Sequence, residues 1–382
     1  MSGVARWAAV AALLSIAACQ RSLKLGDPVR GLTADQRTLF DRGRVVFDSV
    51  FTPTTGLGPT FNSVACGECH EDPVAGGVGD EVEVHASAFR PPICDPLVQE
   101  GGIVIHQQVT PALKAALGID SEPFPPSATG RALRTSPVVF GRGLLDLVPD
   151  SVILSYADSA DRNGDSISGR PNRFFDGRLG RFGRKALVPT LQEFNAGAFP
   201  IEMGVTTPAS PREETIGGNP IPPGVDPVPE PEINQEAVDL TDAFVRFLAA
   251  PTPLKANSAA RRGRELFGSV GCAGCHIPTL RTGSSPIDAL SNKDVAAYTD
   301  LLLHDMGPDL ADICLTQATP AEFRTEPLIG LRAATQFLHD GRAKSLEQAI
   351  QLHGGESARA RDGFLGLSET ERAALIAFLK TL

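Results

Sequence analysis

The chain has no surplus of basic residues: 35 Lys and Arg stand against 45 Asp and Glu in 382 residues, a formal net charge of −10. That balance does not suit a nucleic-acid binder. It leaves solubility, or the steering of a basic partner protein, as the use of the charge. A membrane-spanning run is also missing near the amino terminus, where the apolar stretch from Trp7 to Ala18 is too short and too cleanly ended. Aromatic residues make up only 6%, with a single Trp, at position 7, and two Tyr. Cysteine is scarce, at seven, so each one can be accounted for. What is present, 42% hydrophobic and 21% charged residues, is the composition of a globular chain long enough for two ordinary domains.

One short stretch occurs twice: Cys66-Gly67-Glu68-Cys69-His70 and Cys272-Ala273-Gly274-Cys275-His276. In an exported protein, Cys-x-x-Cys-His is where haem is joined to two thiols while the adjacent His supplies an axial nitrogen to iron. Two intervening residues let one backbone turn present both sulfurs to a porphyrin. A thioredoxin-like pair would want a βαβ context, and zinc would want a second ligand pair close by; neither is evident. Each motif follows a similar lead-in, Arg42-Gly43-Arg44 with Phe47 and Arg262-Gly263-Arg264 with Phe267. Repeated flanks point to duplicated modules carrying two covalent haem c groups.

The first residues carry Arg6, the apolar run and then Ile16-Ala17-Ala18-Cys19, the pattern of a bacterial lipobox. Residues 1–18 are expected to be a lipoprotein signal peptide, with a plain cleaved signal as the alternative. Either places the protein outside the cytoplasm. Lipidation at Cys19 followed by Gln20 suggests an outer-membrane lipoprotein facing the periplasm, held to the membrane by its lipid alone. Removing Cys19 and the four motif cysteines leaves Cys94 and Cys314. In an oxidising compartment an even remainder suggests a disulfide between the two halves, with two free thiols as the alternative.

The expected fold is mostly α: two cytochrome c-like haem domains with long irregular loops. Thr33 with Gln36 makes a capping-box pattern for a helix running to Phe47, and another helix starts near Pro149-Asp150-Ser151. Residues 217–234 are rich in Pro and Gly and read as a crossover between an N-terminal haem domain, 19–216, and a C-terminal one, 235–382. Helical periodicity resumes through Ala237, Leu240, Phe244 and Phe247. In Lys344–Gly355, Ser345 and Gln348 pattern a cap, and Leu346, Ile350 and His353 fall on one helical face. An imidazole aimed into a haem-sized core needs a partner for its nitrogen, and iron is available; a satisfied core histidine is the alternative. Asp161, Asn163 and Asp165 place oxygen ligands at alternate positions, fitting a calcium-bound turn or a plain Asx-rich turn. An EF-hand is disfavoured by Ser166 and Asn172.

Together these segments resemble the bacterial di-haem cytochrome c peroxidase superfamily, and more closely its branch of di-haem oxidoreductases, also called thiol oxidoreductases. The pieces that carry the likeness are Cys66 to Gly77, Gly180-Arg181-Phe182-Gly183, Leu303-His304-Asp305-Met306-Gly307, and Phe337-Leu338-His339-Asp340-Gly341 with Ser345-Leu346-Glu347-Gln348-Ala349. The resemblance implies a peroxide-reducing haem in the amino-terminal domain and an electron-passing haem with two protein ligands in the carboxy-terminal one. His70 and His276 would be the proximal ligands. In the peroxidases the remaining ligand of the second haem is a Met fourteen residues after the His of His-Asp-Gly; from His339 that count reaches His353, with Met306 as the alternative. The peroxidases also place a Glu after a Leu to move the peroxide proton, which maps onto Gln192 or Glu193 after Leu191. Glu193 is the chemical choice, because an amide cannot accept and return a proton. Relatives often place a Trp between the haems. Here Phe, Tyr156, Tyr298 or direct transfer must serve. The expected partners are peroxide and a small electron-donor protein or small-molecule reductant, with oxidation of thiols as a further reading. The contrasting reading is an electron carrier whose first iron is closed by His85 or His106.

Overall fold

The structure, a computed structural model, describes residues 22–382, so the leader and the lipobox Cys19 lie outside the described residues. Among the described residues, eleven α-helices, most of them short, are joined by long irregular segments and ten strands in four small sheets. The fold is therefore less helical than expected. The departure lies mainly between the first motif and Thr135, where the strand Val82–Arg90 is flanked by Ile93–Asp95, Val104–Ile105 and Gly130–Thr135. Val84, Ala86 and Ala88 alternate into a small core of their own, the period of two that a half-buried strand requires. No helix among the described residues is long and apolar enough to cross a membrane.

Two helix pairs organise the rest. The helix Ala34–Phe47, capped by the Thr33/Gln36 box, packs on Gln235–Phe247. The helix Ser258–Ser269 packs on Glu369–Leu379, itself opened by a Ser368/Glu371 capping box. A glycine sets each crossing. A Cβ on Gly43 would lie 2.1 Å from the Leu240 carbonyl oxygen, and one on Gly263 would lie 1.9 Å from that of Ala374. Only glycine permits backbones so close. Phe47 and Phe267, at equivalent places on the two lead-in helices, stack toward His70 and His276 with ring centroids 6.2 and 6.4 Å away. The repeated lead-ins of the sequence are thus repeated helix crossings. Gln235–Phe247, which follows residues 217–234, packs back on Ala34–Phe47. The largest apolar core runs through both parts, joining Phe40, Phe140 and Leu191 to Phe244, Leu290 and Leu302. Cys94 and Cys314 form a disulfide across 220 residues, tying the small sheet to the second half.

Candidate haem sites

In the second motif a single tight turn, Cys272–Gly274, presents the two sulfurs, and His276 follows. The His276 Nδ1–H donates to the Tyr298 carbonyl at 2.9 Å, which fixes the tautomer and leaves Nε2 free. Burial pushes its pKa down to about 4, so the ring is neutral and keeps its lone pair. His353 repeats the arrangement: Nδ1–H donates to Ala349 O at 2.7 Å, and burial lowers its pKa. Both histidines line one cavity of about 550 Å³, with Cys272, Cys275, Phe267, Ile350, Leu375 and Leu379 in its wall. Met306 is also in the wall, its sulfur 3.9 Å from the Ser357 hydroxyl. His353 reaches this position because Ser345 caps the helix Leu346–Gln351, while Gln348 turns back to the Lys344 N–H and not to that of Ser345.

The first motif is one helical turn, Cys66–Cys69, followed by His70. The His70 Nδ1–H donates to Gly77 O at 3.3 Å, and burial lowers its pKa, so this imidazole too is neutral. The glycine-rich exit makes that bond: a Cβ on Gly77 would stand 1.9 Å from Asp72 O. Burial pushes the Cys66, Cys69 and Cys272 thiols up to about 12, far from the thiolates that zinc or redox chemistry uses. All four motif sulfurs are free of disulfides.

The carboxylates around the first motif differ from those expected. Glu193 is the third residue of the helix Leu191–Met203, where Thr190 Oγ1 takes its N–H and donates to its carboxylate. Arg178 grips it bidentately at 2.6 and 3.0 Å, which holds its pKa down, and its side chain is 38% exposed. Gln192 beside it is exposed. Both belong to a solvated helix start, and Glu202 stands near the other end of the same helix. Burial and the charge of Glu83 raise the Glu202 carboxyl well above its ordinary range, and Glu202 in turn raises the Cys66 and Cys69 thiols. Burial also works against the charge of Glu83, but the bond from His85 Nε2 at 2.9 Å and the charge of Arg134 help hold its carboxyl below the ordinary range. Glu202 and Glu83 are thus neighbouring carboxyls shifted in opposite directions, one up and one down. Sequence did carry a sign of Glu202: an acid near a helix C-terminus opposes the helix dipole and needs a reason to be there.

His85 and His106 are both engaged. His106 is fully buried with Nε2 2.7 Å from Ile201 O and Nδ1 3.4 Å from the Glu122 carboxylate; burial disfavours its charge, but Glu122 outweighs burial and raises the pKa. It braces the helix turn that carries Glu202. At Asp161–Asp165 the side chains cap neighbouring backbone: Asp161 Oδ1 accepts from Ser166 N, Asn163 Oδ1 from Asp165 N, and Asp165 Oδ1 from Ile167 N. Those are the bonds of an Asx-rich turn. Among the described residues, the carboxylates that do converge are Glu213, Asp226, Glu230 and Glu232, with ligand atoms within 4.8 Å of one another.

Near both motifs lies a buried cationic cluster. Arg142, Arg184 and Arg324 reach the single carboxylate Glu326 at 2.8, 3.1 and 2.5 Å. Arg184, Arg324 and Glu326 line the cavity, and the charge of Arg142 acts on His70. Three guanidiniums against one carboxylate leave positive charge uncompensated, and Arg142 Nη1 and Arg324 Nε are buried without a partner. Buried cations need anions. Haem propionates are such anions, so the donor set fits haem: thiols, neutral imidazoles with a free nitrogen, an apolar cavity and unpartnered guanidinium N–H groups.

The family model described as "di-haem oxidoreductase, putative peroxidase" matches residues 130–382, more than half of the chain. The chain belongs to the di-haem oxidoreductase family. Membership implies two haem groups and an oxidoreductase in the broad sense. A curated relative of this di-haem oxidoreductase is the methylamine utilization protein MauG of Methylorubrum extorquens AM1, 33% identical over 129 residues, which are 32% of this chain and 34% of MauG. The alignment thus spans about a third of that relative's length. Among solved structures, the di-haem peroxidase BthA of Burkholderia thailandensis E264 is 15% identical over 94% of this chain and 92% of its own, with a TM-score of 0.41. Hydrazine synthase of Kuenenia stuttgartiensis is 15% identical over 100% of both chains, with a TM-score of 0.40. Likeness at that level adds nothing to the family assignment.

Proposed function

We propose that this protein is a periplasmic di-haem c oxidoreductase that reduces hydrogen peroxide, or oxidises a small reductant, at the His70 haem with electrons passed through the second haem. Cys66 and Cys69 would hold the first haem, and Cys272 and Cys275 the second. His70 would be the axial ligand of one iron, His276 and His353 the pair on the other. The haems supply iron that exchanges electrons and binds peroxide oxygen.

The observation that carries the reading is an asymmetry. The second cavity offers two neutral imidazoles, each with Nδ1 committed to a carbonyl and Nε2 free. The first motif offers one imidazole with Nδ1 on a carbonyl, His70, and near it a carboxyl, Glu202, raised well above its ordinary range beside Glu83, which is held below it. Hydroxide is a poor leaving group and water a good one, so peroxide cleavage needs a group that moves a proton from the inner to the outer oxygen. On this reading Glu202 moves that proton and Glu83 takes or returns it, supported by the raised Glu202 carboxyl beside Glu83. His85 and His106 each face a carboxylate, which favours an open first site over a closed electron carrier.

Export suits both the haem motifs and the Cys94–Cys314 disulfide, and a lipid on Cys19 would tether the chain to the outer membrane. Electrons would come from a small donor protein or small-molecule reductant. The relay between haems would not involve Trp, because the chain's single Trp is Trp7. Tyr298 packs against Phe267 and Phe378 beside His276, whereas Tyr156 is 38% exposed. Anaerobically reduced protein mixed with one equivalent of hydrogen peroxide should return to the ferric state, two haems per peroxide. Absorbance that stays reduced would overturn the reading.

A further inference from the structure

His304 has no place in the chemistry above, yet it is among the most heavily bonded side chains in the second module. It lies on the short strand Leu303–Asp305, 3% exposed, in the wall of the haem-sized cavity. Its Nε2 stands 2.8 Å from Asp300 Oδ2 and its Nδ1 2.8 Å from Glu356 Oε2. The same Nδ1 is 3.6 Å from the Cys275 sulfur. A carboxylate can only accept, so both ring nitrogens donate and neither has a lone pair for iron. His304 therefore cannot be a haem ligand in this arrangement.

Its partners are informative because of what each is attached to. Asp300 is 1% exposed and follows by two residues Tyr298, whose carbonyl takes the His276 Nδ1–H. Glu356 follows His353 by three residues and is itself pinned, accepting from Ser168 N at 2.9 Å, Ser168 Oγ at 2.6 Å and Asp305 N at 3.2 Å. Cys275 is one of the two thiols that would bind the second haem. A single imidazole thus joins three segments: the one that attaches the haem, the one that orients the first axial histidine and the one that carries the second. Burial disfavours its charge, but Asp300, Cys275 and Glu356 together push its pKa up to about 12, and the bond to His304 helps hold Glu356 at about 2, so the bridge is made of charges that persist at neutral pH.

We propose that His304 is a positioning residue that fixes the separation of the His276 and His353 segments, so that the second iron stays six-coordinate and low-spin. This rests on the reading of His276 and His353 as its ligands. Without the imidazolium, the Asp300 and Glu356 carboxylates would lose the donor that lies between them. The His353 loop would lose its tie to the Asp300 segment, keeping only the bonds of Glu356 to Ser168 and Asp305.

The test uses the exported holoprotein with both haems attached. His304→Ala, His304→Gln, Glu356→Gln and His353→Ala are compared by electron paramagnetic resonance of the ferric state, by carbon monoxide binding to the reduced state, and by thermal melting. His304→Ala should raise the high-spin, carbon monoxide-binding fraction of the second haem at least tenfold. His304→Gln, whose amide can still donate, should restore part of the low-spin signal. If His304→Ala fails to mature, Glu356→Gln cuts one arm of the bridge while keeping volume, and should give an intermediate fraction. Variants that melt earlier yet keep the wild-type low-spin signal would overturn the proposal, since a merely structural histidine lowers stability without changing ligation. If His353→Ala also keeps that signal, His353 is not the ligand and the underlying reading fails with it. If His353→Ala turns high-spin while the His304 and Glu356 variants do not, the bridge alone is refuted.

Discussion

Glu202 and Glu193 lie on one helix, nine residues apart, and make opposite predictions on substitution to glutamine. At 1.5 Å per residue they are separated by about 13 Å along the axis, so one helix cannot bring both to the same iron. Burial and the charge of Glu83 raise the Glu202 carboxyl well above its ordinary range, whereas the grip of Arg178 holds the 38%-exposed Glu193 below it. A positioned acid–base group contributes roughly 10²–10⁴-fold, or about 2.7–5.5 kcal/mol of barrier at 1.36 kcal/mol per factor of ten. Glu202→Gln should therefore lower the rate of peroxide reduction by about that factor while leaving both haem spectra in place. Glu193→Gln should change the rate less than about twofold and cost stability by about 0.2–1 kcal/mol, the worth of an exposed ion pair. Stopped-flow reoxidation of the reduced protein by peroxide measures the first effect and urea unfolding the second. A large rate loss in Glu193→Gln with none in Glu202→Gln would refute the assignment and return the role to the start of the helix.

Other outcomes are as specific. His353→Ala should turn the second haem high-spin, and His353→Met should keep it low-spin with a higher reduction potential, read by spectroelectrochemistry. Replacing both Cys94 and Cys314 by serine should lower unfolding stability by up to about 5 kcal/mol from the loop-closure relation, measured by denaturant titration of the oxidised protein. In the acidic cluster, burial pushes Glu213 up to about 10 and Glu232 to about 8. These groups bind protons more tightly folded than unfolded, so their stabilisation is complete below the ordinary glutamate pKa and is lost as pH rises toward those values. The melting temperature should fall between pH 6 and 9, and Glu213→Gln should flatten that fall. An unchanged slope would show that the cluster does not titrate as described.

How much of this was legible in the sequence depended on the range of the signal. Thr33 with Gln36, Ser368 with Glu371 and Ser345 before Leu346 are local patterns, and each caps the helix that its spacing implies. The face shared by Leu346, Ile350 and His353 is equally local and reaches the cavity wall. The Cys94–Cys314 pairing followed from arithmetic. What was hidden depended on distant partners. The strand Val82–Arg90 pairs with Gly130–Thr135 more than forty residues later; its alternation was present in the sequence, but no turn beside it announced the partner. The arginine cluster gathers Arg142, Arg184 and Arg324 from separate stretches around Glu326, a convergence no spacing encodes. The Pro-rich stretch at 217–234 is irregular as its composition requires, yet the helix after it folds back on Ala34–Phe47 through Gly43. Glu193 attracted the acid–base assignment because it lies just after Leu191 and, unlike Gln192, can exchange a proton, whereas the neighbourhood of Glu83 that raises Glu202 arises only after folding.

The central claim is that the two irons differ: one open beside Glu202, one closed by His276 and His353. Electron paramagnetic resonance of the holoprotein, fully ferric and after one-electron reduction, tests it most directly. The account predicts one high-spin and one low-spin haem in at least one of those states, with the low-spin signal lost in His353→Ala. Two low-spin haems in both states would contradict it and make the protein an electron carrier.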